Sequence, residues 1–276
     1  MKETVLPLIK ENRIGKLTEI LRIFDKNPYN REKQVESVLR LYPNKIAKSV
    51  FRGMAIPSLR YLGLIIGYDN LIRLSANGRI LLKAESRNKN ELFRAWQAIL
   101  YELDNKFGFI RAVDGQSDLS ILKNRLARSV SGPSDRQVIE RINKWLRMLL
   151  DSQLLMKKNG KVTANRVLIR RAKLDTLALQ KKSRFRDLLF EAYKSFPFRD
   201  TAGIVDIAEL RETTSILFYD KNNEILTEAQ FDALLRTLPL ITKKFIISLG
   251  QTMGAEEKLL KLGRDYYRTI SIEFLP

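Results

Sequence analysis

Residues 131–163 read SGPSDRQVIERINKWLRMLLDSQLLMKKNGKVT, and the fold turns on how this stretch is parsed. Ser131-Gly132-Pro133-Ser134 is a turn. Ser134 is placed to cap a helix whose first residue, Asp135, suits its positive end. From Asp135 to Leu150 the residues Val138, Ile142, Trp145 and Leu149, joined by Ile139, Leu146 and Leu150, form an apolar stripe at helical spacing. Leu154-Leu155-Met156-Lys157 and Lys161-Val162-Thr163 then flank Asn159-Gly160, the strongest short signal for a two-stranded hairpin.

Upstream, Glu91 to Leu103 reads as an amphipathic helix with Leu92, Trp96, Ile99, Leu100 and Leu103 on one face, and a further helix runs from Leu119 to Arg128. Earlier still, the same order recurs. Helices are expected over Arg31–Leu41 and Asn44–Arg52, then a short one opened by Pro57 at its first position. Leu62 to Ile66 and Leu71 to Leu74 flank a turn at Gly67-Tyr68-Asp69-Asn70 and read as a hairpin; a helix over Arg79–Ala84 follows. Downstream, helices are expected over Arg184–Ser195 and Ile204–Phe218. Thr227 with Gln230 forms a capping box for a helix burying Phe231, Leu234, Leu235 and Leu238. Phe245–Leu249 and Tyr267–Ile272 read as strands, separated by a segment too long for a simple hairpin.

Charge narrows the function. Of 276 residues, 50 are Lys or Arg and 31 Asp or Glu, a net +19. Residues 187–276 hold 11 basic and 14 acidic side chains (11 − 14 = −3), so residues 1–186 carry +22. The run from Lys157 to Arg186 has eleven basic residues and one acid, Asp175. A polyanion is the expected partner. The chain has no Cys and no His, which excludes disulfides, thiol nucleophiles, serine-hydrolase triads and the usual zinc sites. No catalytic residue, metal or cofactor is expected. No apolar run approaches the roughly 18 residues of a membrane span, and the N-terminus lacks a signal peptide's apolar core, so a cytoplasmic protein is expected.

Helices followed by a two-stranded hairpin resemble the winged-helix superfamily, in which the last helix before the hairpin enters a major groove and the hairpin is the wing. The words Leu59-Arg60-Tyr61-Leu62-Gly63-Leu64-Ile65 and Leu74-Ser75-Ala76-Asn77-Gly78-Arg79 are similar to that superfamily's recognition-helix end and post-wing helix start, and Ser134 to Gly160 resembles it again. The resemblance implies a mainly α chain with short hairpins. It comprises winged-helix domains over 1–88 and 89–183, the second with a basic extension, and a C-terminal α+β domain over 184–276, a more loosely drawn third copy. The order also resembles the DNA-recognition portion of type IIS restriction endonucleases. That implies the reading part of a restriction or defence system, with a transcription regulator as the other role for such a protein.

The resulting expectation is non-catalytic, sequence-preferring binding of double-stranded DNA. Ser134, Arg136, Gln137, Arg141, Asn143 and Lys144 are the candidates on the second unit's helix, since Arg can grip guanine and Asn or Gln adenine. Lys45, Lys48, Arg52, Ser58, Arg60 and Tyr61 correspond in the first unit, although Arg60 and Tyr61 could instead pack against the wing. Lys157, Lys158 and Lys161 on the wing, with Arg166, Arg170 and Arg171 beyond it, would meet phosphates. Glu228 and Asp232 on the third unit's helix would repel DNA, so residues 187–276 read as a packing or protein-binding part. Two competing classes are a protein-interaction scaffold and a Mg²⁺ nuclease using Glu256-Glu257-Lys258 with Asp200 or Asp206.

Overall fold

In the computed structural model the described residues are 4–43, 46–67, 71–113, 115–197, 203–251 and 259–276. Strand β1 (Thr4–Val5) is followed by helices α1 (Ile14–Lys26), α2 (Arg31–Arg40), α3 (Ala47–Val50) and α4 (Ile56–Tyr61). Between α3 and α4 the chain stays helical through a π turn, Phe51–Ala55, in which the Ile56 amide reaches back five residues to the Phe51 carbonyl. Pro57 therefore does not open a separate helix as expected; it is the second residue of α4 in one helical run. Proline has no N–H to give the preceding turn, and widening that turn lets the helix pass through it. The run ends where Gly63, at φ +69°, lets the Leu64 amide bond the Leu59 carbonyl and the Gly63 amide bond the Arg60 carbonyl.

Strands β2 (Ile65–Ile66) and β3 (Arg73–Leu74) pair antiparallel, and α5 (Ala76–Arg87) starts three residues earlier than expected because the Ser75 hydroxyl accepts from the Gly78 amide. Then come α6 (Lys89–Phe107), α7 (Phe109–Ala112), β4 (Gln116–Asp118), α8 (Leu119–Ala127), β5 (Val130–Ser131), α9 (Asp135–Asp151), β6 (Leu155–Lys158), β7 (Lys161–Ala164) and α10 (Arg166–Asp175). The Asn159-Gly160 hairpin forms with both residues at positive φ, 50° and 75°, as a tight two-residue turn requires. β4 adds to its far side, giving the order β4-β7-β6.

The chain divides into two compact units, Met1–Leu74 with Leu81–Leu174, and Ser75–Ile80 with Asp175–Pro276. These units are drawn differently from the three expected segments. The first two segments share one core because residues 4–13 are built into it: Leu6 and Ile9 are buried, and β1 pairs in parallel with β5. Leu17, Leu21 and Phe24 of α1, Trp96 and Leu100 of α6, and Ile142, Trp145 and Leu149 of α9 are buried as well. Each such side chain contributes about 1.5 to 3 kcal/mol on leaving water. Both indole N–H groups find acceptors, Trp96 at Thr18 Oγ1 (3.2 Å) and Trp145 at Asp104 Oδ1 (2.8 Å), so the aromatic cores stay hydrogen-bonded.

The second unit contains α11 (Lys182–Lys194), β8 (Val205–Asp206), α12 (Ile207–Asn222), α13 (Glu228–Leu235), β9 (Phe245–Gln251), β10 (Leu260–Leu262) and β11 (Asp265–Phe274). The expected helix from Ile204 gives up its first residues to β8, with Asp206 capping α12 through the Ala208 amide. β9, β10 and β8 all pair with β11. Both α6–β7 and α11–β11 thus run from helices into strands, with the last strand central in its sheet. Phe185, Phe218 and Phe231 meet in the unit's core. The capping box of Thr227 and Gln230 is formed, and Gln230 Oε1 also accepts from the buried Lys181 ammonium at 3.0 Å. Asp232 is not the exposed carboxylate expected: it accepts from Arg211 Nε and Nη2 at 3.0 and 2.7 Å. Arg211 is itself buried, so the pair faces inward.

Candidate nucleic-acid interface

Helix α9 is shaped at its start by local chemistry. Ser134 Oγ accepts from the Gln137 amide at 3.4 Å, and Gly132 lets the turn close on Val138, since a Cβ there would lie 2.8 Å from Val138 Cγ2. Val138, Ile142, Trp145, Leu146, Met148 and Leu149 are buried, and Ile139 and Leu150 are half-buried. The remaining positions Arg136, Gln137, Glu140, Asn143 and Arg147 form one exposed stripe, with Lys144 half-buried beside it. A shallow concavity of about 430 Å³ runs along that stripe, lined also by Asn12 from the N-terminal segment.

The stripe is held by charge as well as shape. Lys144 Nζ lies 2.8 Å from Glu140 Oε1, and this bond, with the fields of Lys144, Arg136 and Lys10, holds the Glu140 carboxyl below the usual carboxylate range. Arg147 Nε is 3.8 Å from Asp151, a loose pair that leaves the guanidinium exposed. Guanidinium forks at Arg136 and Arg147 and the Asn143 amide are groups that can bond base edges, and Glu140 can accept from a cytosine amino group.

Arg141 and Ser134, both expected at the interface, serve the fold. Arg141 Nη1 donates to the Leu6 carbonyl at 2.7 Å, so its side chain ties α9 to the N-terminal segment. The Lys144 carbonyl likewise accepts from Asn12 Nδ2 at 3.2 Å. The Ser134 hydroxyl is the helix cap. Neither Lys10 nor Asn12 carries a sequence signal for this site. More than 120 positions separate them from α9, and no local pattern announces the contact.

On the hairpin, Lys157, Lys158 and Lys161 are exposed, and Lys158 stands directly opposite Lys161. Like charges facing across two strands repel. Asp118 pairs with Lys161 from the other side, in β4, and that lysine helps hold its carboxyl low after the bonds from Ser120. Arg166 and Arg170 are exposed one turn apart on α10. Arg171 instead donates to Gln97 Oε1 at 2.5 Å while Gln97 Nε2 donates to the Ser152 carbonyl, which makes Arg171 a latch of the fold.

The first half contributes less. Ser58 is fully buried, donating to the Met54 carbonyl and accepting from the Glu11 amide, so it cannot reach DNA. Arg60 Nη2 bonds the Gly67 carbonyl at 2.7 Å, as the packing alternative required. Tyr61 and Arg52 are exposed, Lys48 lies on α3, and Lys45 falls outside the described residues.

Of the expected nuclease groups, Asp206 is the α12 cap and meets Arg268 Nε at 3.3 Å, while Asp200 and Glu256 to Lys258 lie outside the described residues. Among the described residues no cluster of three carboxylates could hold a metal ion, and no helix is long and apolar enough to cross a membrane. Compared with known protein families, curated proteins and solved structures, the chain matches none.

Proposed function

We propose that the first unit binds double-stranded DNA without catalysis, α9 entering a major groove and the β6–β7 hairpin acting as a wing. The observation that carries this reading is the basic, base-competent stripe on α9. It belongs to a chain order of α6, α7, β4, α8, β5, α9, β6 and β7, with β7 in the centre of the β4-β7-β6 sheet. Helices followed by a two-stranded hairpin are the arrangement of the winged-helix reading. Arg136, Gln137, Asn143 and Lys144 face the bases, with Arg147 added to the expected set, and Lys157, Lys158, Lys161, Arg166 and Arg170 meet phosphates. A restriction-type reading component or a transcription regulator is the role that goes with this activity.

Selection from a random duplex library, followed by a salt titration of the enriched site, tests the proposal. A site should emerge, and log affinity should fall with log salt at a slope of about −4 or steeper. Binding indifferent to salt would rule the reading out in favour of a protein-docking role.

A further inference from the structure

One open cleft of about 630 Å³ on the second unit is lined by Lys182, Arg186 and Lys244 and by no carboxylate. Lys182 and Arg186 stand one turn apart on α11, hence on one face, and Lys244 arrives from the segment joining α13 to β9. All three are exposed. Arg186 Nε also meets Asp187 at 3.1 Å, but with exposures of 53% and 68% that pair is worth little and exchanges readily.

The rest of the lining has a second chemistry. Ser183 presents an exposed hydroxyl beside the cations. Leu238, Pro239 and Phe245 supply an apolar wall, and Phe245 is fixed by an edge contact with Phe190 at 4.8 Å. Thr237 and Thr242 are fixed too, donating to the Leu234 and Phe245 carbonyls at 2.8 and 3.1 Å. Converging cations repel unless an anion sits among them, and an apolar wall next to them has no use for a bare ion.

We propose that this cleft binds an organic phosphate, with the phosphoryl group among Lys182, Arg186 and Lys244 and the attached apolar group against Leu238, Pro239 and Phe245. A nucleotide has that chemistry, and the cleft lies in the size range of small-molecule sites. The proposal does not depend on duplex binding by the first unit.

The test is an amide-shift titration of the isotope-labelled full chain with adenosine monophosphate, adenosine and a short single-stranded oligodeoxyadenylate. Adenosine monophosphate should give saturable shifts at Ser183, Lys244 and Phe245, and adenosine should bind more weakly by about tenfold or by a larger factor. The double substitution Lys182→Gln with Lys244→Gln should weaken the nucleotide by about tenfold while leaving the circular dichroism unchanged. Competition by the oligonucleotide would identify the nucleotide as a unit of a strand; its absence would identify a free one. Equal binding of nucleoside and nucleotide, shifts confined to other residues, or a double variant with unchanged affinity would each overturn the proposal. A first unit that failed to bind duplex would leave all these arms as they are.

Discussion

The guanidinium of Arg141 donates to the backbone carbonyl of Leu6 at 2.7 Å, fastening α9 to a segment 135 positions earlier in the chain. The same helix therefore carries one arginine that builds the fold and another, Arg136, that stands exposed a little over one turn away. Arg141→Ala should lower stability by about 1.5 to 3 kcal/mol, the usual worth of a hydrogen bond from a charged donor, seen as a lower urea midpoint. Its preferred DNA site should be unchanged. Arg136→Ala should do the reverse, keeping the midpoint and costing about 1 to 3 kcal/mol of discrimination at one base position. A variant of Arg141 that relaxed base preference at full stability would contradict this division.

Lys158 and Lys161 face one another across the hairpin, so removing either relieves repulsion in the free protein while removing a phosphate contact in the complex. Lys158→Ala or Lys161→Ala should weaken binding to every duplex alike and flatten the salt slope by about one unit. The measurement is fluorescence anisotropy on the preferred and a scrambled duplex at several salt concentrations.

In the second unit, Asp232 is the half-buried partner of Arg211, whose side chain is only 3% exposed. Burial pushes the Asp232 carboxyl above the usual carboxylate range, with Arg211 opposing the rise. Asp232→Ala should cost about 3 to 5 kcal/mol, because it takes the carboxylate away from a buried guanidinium. Thermal unfolding reads this directly; a change below the ordinary surface scatter of about 0.5 kcal/mol would show that water replaces the carboxylate.

Glu11 gives a pH signature. Burial raises its carboxyl, but bonds from Arg13 and Tyr42 outweigh that and leave it lowered overall. A carboxyl lowered in the folded state adds stability that is fully present above the ordinary glutamate value, about 4.3, and is lost as pH falls through the lowered one. Asp104, raised by burial, runs the other way and loses its contribution as pH rises. The clean observable is thus the stability difference between the native chain and Glu11→Gln. It should be constant at neutral pH and shrink on acidification; a difference flat to strongly acid pH would refute the assignment.

Features whose cause is local are legible in the sequence. Ser134 caps α9, Asn159-Gly160 turns the hairpin, and Thr227 with Gln230 boxes the start of α13, because each of these side chains satisfies or shapes backbone within a few residues. The helical stripe of Val138, Ile142, Trp145 and Leu149 was legible for the same reason: its period is that of the helix. The exposed positions of α9, Arg136, Gln137 and Asn143, follow by subtraction from that stripe, and the wing lysines from the hairpin around Asn159-Gly160.

Which polar groups the fold consumes is set by the packing of distant segments. Arg141 is taken by Leu6, Arg171 by Gln97, Ser58 by Glu11 and Met54, and Asp232 by Arg211, each across a separation or a burial that no local pattern records, apart from the Met54 bond within its own helix. The same holds for β4 joining β7 and for β1 joining β5. Apolar side chains announce burial by their chemistry, so their periodicity is enough. A polar side chain is stable either in water or opposite a partner, and the packing of distant segments chooses between the two.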